Sequence, residues 1–217
     1  RLPQNFLQLW DHWLQDSVAA SRAQLGDKWL DIYLNSPIWR FVLMPGVCGP
    51  KAWTGVIMPS VDKVGRYFPF TIAHSVEAHS DFLVAIFRAQ HWFDEIEQIA
   101  LSALDVEFSL DNLEQALAAH TFPAHYSEHE KNPAAKQLAE RWLLSQSQTD
   151  LQLPSLDGMA KLIQHASLDL FAMRGAGRSI WWRNQSNYGA VANGPVKWRD
   201  VEGLPSCSLY GAMLQGG

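Results

Sequence analysis

Three apolar runs stand close together near the front of the chain: Ile38–Met44, Trp53–Met58 and Tyr67–Ala73. Each has the length of an ordinary strand and is rich in β-branched and aromatic residues. Pro45-Gly46 and Gly49-Pro50 punctuate the first gap, Pro59 and Gly65 the second. The first two runs are apolar at nearly every position. A strand with one wet face would alternate, so this pattern predicts strands covered on both sides. The gaps are too short for crossover helices, so neighbours should pair antiparallel. Pro69 lacks an amide hydrogen and marks the third run as an edge strand or a bulge.

Helical spacing surrounds these runs. From Pro3 to Leu25, Phe6, Leu9, Trp10, Trp13 and Leu14 share one face, and Gln8, Asp11, His12, Gln15 and Asp16 the other. A short helix opening at Asp27, an N-cap residue type, carries Trp29, Leu30, Tyr33 and Leu34 and stops at Asn35-Ser36-Pro37. His79–Leu104 gives the longest helical pattern, with Phe82, Ile86, Phe93, Ile96 and Ala100 on one stripe and Val84, Arg88, His91, Glu95 and Gln98 on the other. Ser109 caps a helix carrying Leu110, Leu113 and Leu117. Asn132-Pro133 opens another, residues 145–154 read as a linker or exposed loop, and Ser155 begins a further helix. Gly175-Ala176-Gly177 is a turn, Ser179–Trp182 a fourth strand, and Asn184–Trp198 a loop with one weak strand. Gly203-Leu204-Pro205 precedes a last helical turn, Ser208–Leu214. The fold class that follows is α+β, a mainly antiparallel sheet sandwiched between helices.

Composition narrows the function classes. At 217 residues with 47% hydrophobic content, one domain with a sizeable core is expected. Ten Trp and ten Phe make that core, or a partner surface, unusually aromatic. A net charge of −5 without a Lys/Arg cluster argues against nucleic acid or anionic membrane as the main partner. Cys48 and Cys207 alone cannot build a disulfide framework, though a single bridge stays open, and two reduced thiols in the cytosol is the reading taken. No apolar run approaches the roughly 20 residues of a membrane helix, and no signal peptide is visible.

Few residues suggest chemistry. Ser60, Asp62 and Arg66 share the turn between the second and third runs, where Ser60 could be a nucleophile or Asp62 and Arg66 could bind a ligand. Turn chemistry offers the plainer reading: Asp62 accepts backbone amides and Arg66 pairs with a carboxylate. His120, His125 and His129 with Glu128 and Glu130 match no zinc spacing and read as a solvated loop. His74, His79 and His91 read as satisfied or solvent-facing. Gly175-Ala176-Gly177-Arg178-Ser179 lacks the third glycine and the lysine of a phosphate loop and leads into a strand, so it fails as a nucleotide motif. Trp181 and Trp182, adjacent in a strand, must face opposite ways. An exposed Trp182 would be a partner anchor, though burial of both suits the supply of covering helices. The candidate partner-binding set is therefore Ser60, Asp62, Lys63, Arg66, Tyr67 and Trp182, with no catalytic residue, no metal ligand and no cofactor.

Longer stretches do match something known. Trp29-Leu30, Ser36-Pro37-Ile38-Trp39-Arg40-Phe41, Pro45-Gly46-Val47-Cys48-Gly49 and the unbroken Gly55–Thr71 resemble the TagF (ImpM) family associated with bacterial type VI secretion. Ser179-Ile180-Trp181-Trp182 and Gly203-Leu204-Pro205 fit as well. The resemblance covers most of 1–217 as one TagF-like domain, is densest over 29–72, and leaves 155–217 as a candidate subregion. Members open with a short Gly-containing segment before the Leu2-Pro3 helix that this sequence lacks, which leaves room for one further strand. The resemblance implies a cytoplasmic, post-translational repressor acting by protein contact, opposed to a threonine-phosphorylation branch and linked to the forkhead-associated scaffold protein Fha. Some members carry a fused phosphatase, but the paired Asp-Gly motifs of that domain are absent here. A small hydrolase built on the Ser60/Asp62/Arg66 turn and a structural part of the apparatus are the alternatives.

Overall fold

The computed structural model describes residues 2–62, 64–78, 82–105, 109–123, 175–184 and 196–216. Pro3, extended at φ −70°, ψ 150°, sets the start of α1 (Gln4–Leu25), and its carbonyl accepts from the amides of Phe6 and Leu7. Gly26 ends α1 at φ 53°, a conformation in which glycine carries no side-chain penalty. A short 3-10 turn, Gly26–Lys28, leads into α2 (Trp29–Leu34). Asp27 lies inside that turn and does not cap α2, because the chain is already helical there. Trp29 and Tyr33 point inward, whereas Leu30 and Leu34, expected beside them, are exposed, as is Leu9 on α1.

The strands are β1 (Trp39–Leu43), β2 (Ala52–Met58), β3 (Phe70–Val76), β4 (Arg178–Asn184) and β5 (Val196–Glu202). They form one antiparallel sheet in the order β3-β2-β1-β4-β5. Every residue of β1 and β2 is buried, as their uninterrupted apolar character predicts. β3 starts three residues later than its apolar run, just after Pro69, and sits at the sheet edge that the proline demanded. The weak strand expected within Asn184–Trp198 overlaps β5 only at its start; β5 continues to Glu202, past that range, and pairs with β4 along seven residues.

Alternation divides the sheet into two faces. On one, Trp39, Phe41, Leu43, Trp53, Ile57 and Trp181 pack with Phe6, Trp10, Trp13, Leu14 and Val18 of α1, with α2, and with Tyr210 and Met213 of the C-terminal helix α6 (Cys207–Leu214). Ser206 caps α6, its hydroxyl accepting from the Leu209 amide at 3.3 Å. On the other face, Val42, Met44, Val56, Ile72, Ile180 and Trp182 pack with α3 (Phe82–Arg88), α4 (Gln90–Ser102) and α5 (Leu110–Ala119). The single helix expected over 79–104 is two, broken at Ala89 (φ −76°, ψ 36°), while the inward stripe of Phe82, Ile86, Phe93, Ile96 and Ala100 is buried as its spacing required. Ser109 occupies the N-cap position of α5, but its hydroxyl makes no capping bond. The helices expected after Asn132 and Ser155, and the intervening linker, lie outside the described residues.

Candidate functional site

β2 ends at Met58 and Pro59 turns the chain out of the sheet, since it cannot donate to the ladder. The loop closes on itself at once. Val61 bridges to Tyr67, the Asp62 amide donates to the Arg66 carbonyl at 3.0 Å, and the Gly65 amide donates to the Asp62 carbonyl at 2.9 Å. Gly65 holds φ 81°, which a side-chain-bearing residue enters only at a cost. Asp62 directs the turn: Oδ1 accepts from the amides of Val64 at 3.0 Å and Arg66 at 2.8 Å, and Oδ2 from Arg66 Nε at 2.6 Å. The Arg66 amide, helped by its guanidinium and by the Val64 amide, holds the Asp62 carboxyl below the usual carboxylate range. The turn chemistry read from the sequence is thus the geometry found.

The base of the loop is fixed to α2. Buried Tyr33 donates its hydroxyl hydrogen to the Ser60 carbonyl at 3.0 Å and accepts from the Ser60 amide at 3.1 Å. Burial pushes this phenol up to about 12, so it stays a neutral donor at working pH. Tyr67 lays its ring edge-on to Trp29 and Tyr33, at 5.6 and 6.0 Å between centroids, and the Arg22 guanidinium covers Trp29 at 4.2 Å. Tyr67 is therefore an inner wall of the loop. Beyond it, Arg66 is 81% exposed, and Val61, Val64, Phe68, Leu30 and Leu34 expose apolar side chains on the loop and on α2. Solitary exposed apolar residues are ordinary, but five on two adjoining segments that also carry an exposed Arg have the composition of an interaction surface.

Of the sequence-derived set, the turn brings Ser60, Asp62, Arg66 and Tyr67 together, and Lys63 lies outside the described residues. Trp182 is a correction. It is 3% exposed on the α3/α4 face, packed on Phe87 and Phe93 at 5.1 and 5.0 Å, because β4 is covered on both sides. Among the described residues, no hydrogen bond joins the Ser60 hydroxyl to a histidine; the bonds at Ser60 are those of its backbone.

The histidines are placed separately. The His74 ring on β3 stacks on Phe122 at 5.5 Å. His91 and His120 approach Glu95 at 3.2 and 3.6 Å, and His120 Nδ1 bonds to the Ala116 carbonyl. Among the described residues no three His, Cys, Asp or Glu are arranged to hold a metal ion. His79, His125, His129, Glu128 and Glu130 lie outside them. Gly177, at φ 74°, donates to the Pro45 carbonyl and accepts from the Gly203 amide, while Arg178 pairs with Asp200, so this stretch is a structural turn. Cys48 and Cys207 are free thiols, and burial pushes Cys48 up to about 12.

A family model for the TagF N-terminal domain, described as type VI secretion system-associated, matches residues 1–120. The chain belongs to the TagF family. PA0076 of Pseudomonas aeruginosa PAO1, known from its crystal structure, is 31% identical, with the alignment covering all of this chain and 87% of that one at a TM-score of 0.69. No curated protein matches the chain. The stretch that carried the resemblance from Trp29 to Thr71 builds α2, β1, β2 and the described residues of the Ser60–Phe68 loop. What sequence reasoning missed is the pair of residues that fix this TagF chain internally: Tyr33, the loop's anchor, and Arg40, buried within β1. A charged residue inside a run destined for burial was the available signal for Arg40.

Proposed function

We propose that this TagF chain is a cytoplasmic, non-enzymatic negative regulator of type VI secretion, acting after translation by occupying a protein partner, with the Fha scaffold as that partner. The observation that carries the reading is the Ser60–Phe68 loop, held at its base by Tyr33 and at its tip by Asp62, yet presenting Arg66 and apolar side chains outward. A loop ordered before contact loses little freedom on binding, and its rigid support is the setting in which binding residues concentrate. Among the described residues no helix is long and apolar enough to cross a membrane, in keeping with action in an aqueous compartment.

Occupancy requires the regulator in amounts comparable to its partner, whereas an enzyme turns over many copies. The test lowers the cellular level of the chain stepwise against a measured level of Fha and reads effector secretion. Repression should fade once the chain falls below its partner. Full repression at a small fraction of the partner's abundance would exclude occupancy.

A further inference from the structure

We propose that β3 is a self-association edge, at which two copies of this chain pair their β3 strands antiparallel about a two-fold axis at Ala73 and join their sheets into one. The sheet has two edges, and they are unlike. β5 is guarded: Lys197, Arg199, Asp200 and Glu202 set charge along it, a common means of keeping an edge from pairing. β3 holds no Asp, Glu, Lys or Arg, and it runs against β2 through seven consecutive pairs with no bulge to twist it away. Among the described residues its backbone bonds go to β2 alone, which leaves the amides and carbonyls of its outer side without a protein partner. The strand is also accessible. His74 is exposed and Phe70, Thr71, Ala73 and Ser75 are half-buried, where β1 and β2 are buried throughout.

Only an extended segment matches the repeat of donors and acceptors along such an edge. The side chains select a second copy. Turned antiparallel about Ala73, the strand sets Phe70 against the partner's Val76, Thr71 against the partner's Ser75, Ile72 against the partner's His74, and Ala73 against itself. Aromatic meets β-branched, hydroxyl meets hydroxyl, and no like charges oppose one another, which are the combinations that stabilise neighbouring strands. Each pair also keeps to one face. Phe70, Ile72, His74 and Val76 lie on the α4 side, and Thr71, Ala73 and Ser75 on the α1 side, so each interior of one copy continues into its counterpart. Pro69, unable to donate, ends the seam at the start of the strand.

Sedimentation equilibrium of the purified chain, above the histidine titration range and at about 0.15 M salt, reads the association directly. The wild type should pass from monomer to dimer, and no further, as concentration rises. His74 lies beside the axis, so the two copies of residue 74 are diagonal neighbours about 7–8 Å apart. H74K and H74E should each weaken dimerisation about tenfold through like-charge repulsion. An equimolar mixture of the two should restore it, which misfolded variants would not do. Amide exchange of the wild type needs no variant: β3 amides should exchange more slowly at dimer-forming concentration than in dilute solution. A wild type still monomeric at about 1 mM, dimers indifferent to H74K and H74E, or a mixture that stays monomeric would each overturn the pairing. So would β3 exchange that ignores concentration, or association that runs on into open-ended polymers. A monomeric wild type whose binding to Fha is lost in both variants, with no rescue on mixing, would give the edge to a strand of that protein, against a second copy.

Discussion

Arg40 is 2% exposed in the middle of β1, and its surroundings explain how a charge survives there. Nε donates to Glu97 and a terminal nitrogen to Asp94, each at 2.6 Å, while the other donates to Gln90 at 2.8 Å. The Phe93 ring lies 5.3 Å from the guanidinium carbon. Burial pulls the group's pKa down, but the bonds and charges of Glu97 and Asp94 outweigh it and hold it above its ordinary value. Removing one partner of a buried pair costs about 3–5 kcal/mol. Asp94 is largely in water and can rehydrate, so Arg40→Ala should cost about 3 kcal/mol, at the low end of that range, read from the urea midpoint. The triple variant R40M/D94N/E97Q, which removes the charges together, should recover most of the loss. A second residue-scale prediction concerns His74, which is exposed on the edge strand β3 yet has part of its imidazole desolvated by the Phe122 and Trp92 rings, lowering its pKa from 6.5 and making the effect on stability a small one. The unfolded chain takes up this proton first as pH falls. Stability present above about 6.5 is therefore lost as pH drops from there through the depressed folded value. His74→Gln should flatten the stability profile across that interval in denaturant melts, and an unchanged slope would contradict the assignment.

Elements were legible where periodicity and punctuation agreed. Phe6, Trp10, Trp13 and Leu14 declared α1 because a helix buries every third and fourth residue, and Pro69 placed β3 at an edge because it cannot donate. The break at Ala89 left no such mark, since neither Pro nor Gly stands there and the inward stripe continues across it. Leu30 and Leu34 misled for a related reason. Their spacing suits burial on α2, but two turns of helix have room for one inward pair, and Trp29 with Tyr33 took it. The candidate turn was readable as an Asx turn from Asp62 and Gly65, whereas its attachment to Tyr33 joins residues 27 apart and has no local signature. Gly55 makes a further prediction at this scale. It pairs with Ala73 across β2 and β3, and a Cβ there would overlap the Ile72 carbonyl oxygen. Backbone cannot swing aside as a flexible side chain can. Gly55→Ala should destabilise by about 3 kcal/mol, and a melting temperature lowered by roughly 6–12 °C in calorimetry is the expected reading.

At the scale of the molecule, one sheet separates two unlike interiors. The α1 side is crowded with indoles, while the α4 side is mainly aliphatic and phenyl with Arg40 set into it. The sequence could announce many aromatic residues but not their division, because the division depends on which strand neighbours which, and β4 reaches β1 from more than a hundred residues away. That division has an optical consequence. Trp10 of α1 and Trp181 of β4 lie 6.1 Å apart with their planes 7° from parallel, and Trp13 sits 4.9 Å from Trp10. Transition dipoles held this close interact as one chromophore and generate a strong near-ultraviolet circular dichroism band. Trp10→Phe should reduce that band without abolishing it, since Trp13 and Trp181 remain 5.5 Å apart, and should also diminish the aromatic feature that coupled indoles add to the far-ultraviolet spectrum. On the opposite side, Trp92 and Trp182 meet Phe93, Phe122 and Phe87 instead. Lifting α1 from the sheet, by denaturant or by a partner, would therefore erase the coupled signal while the α4 interior kept its own.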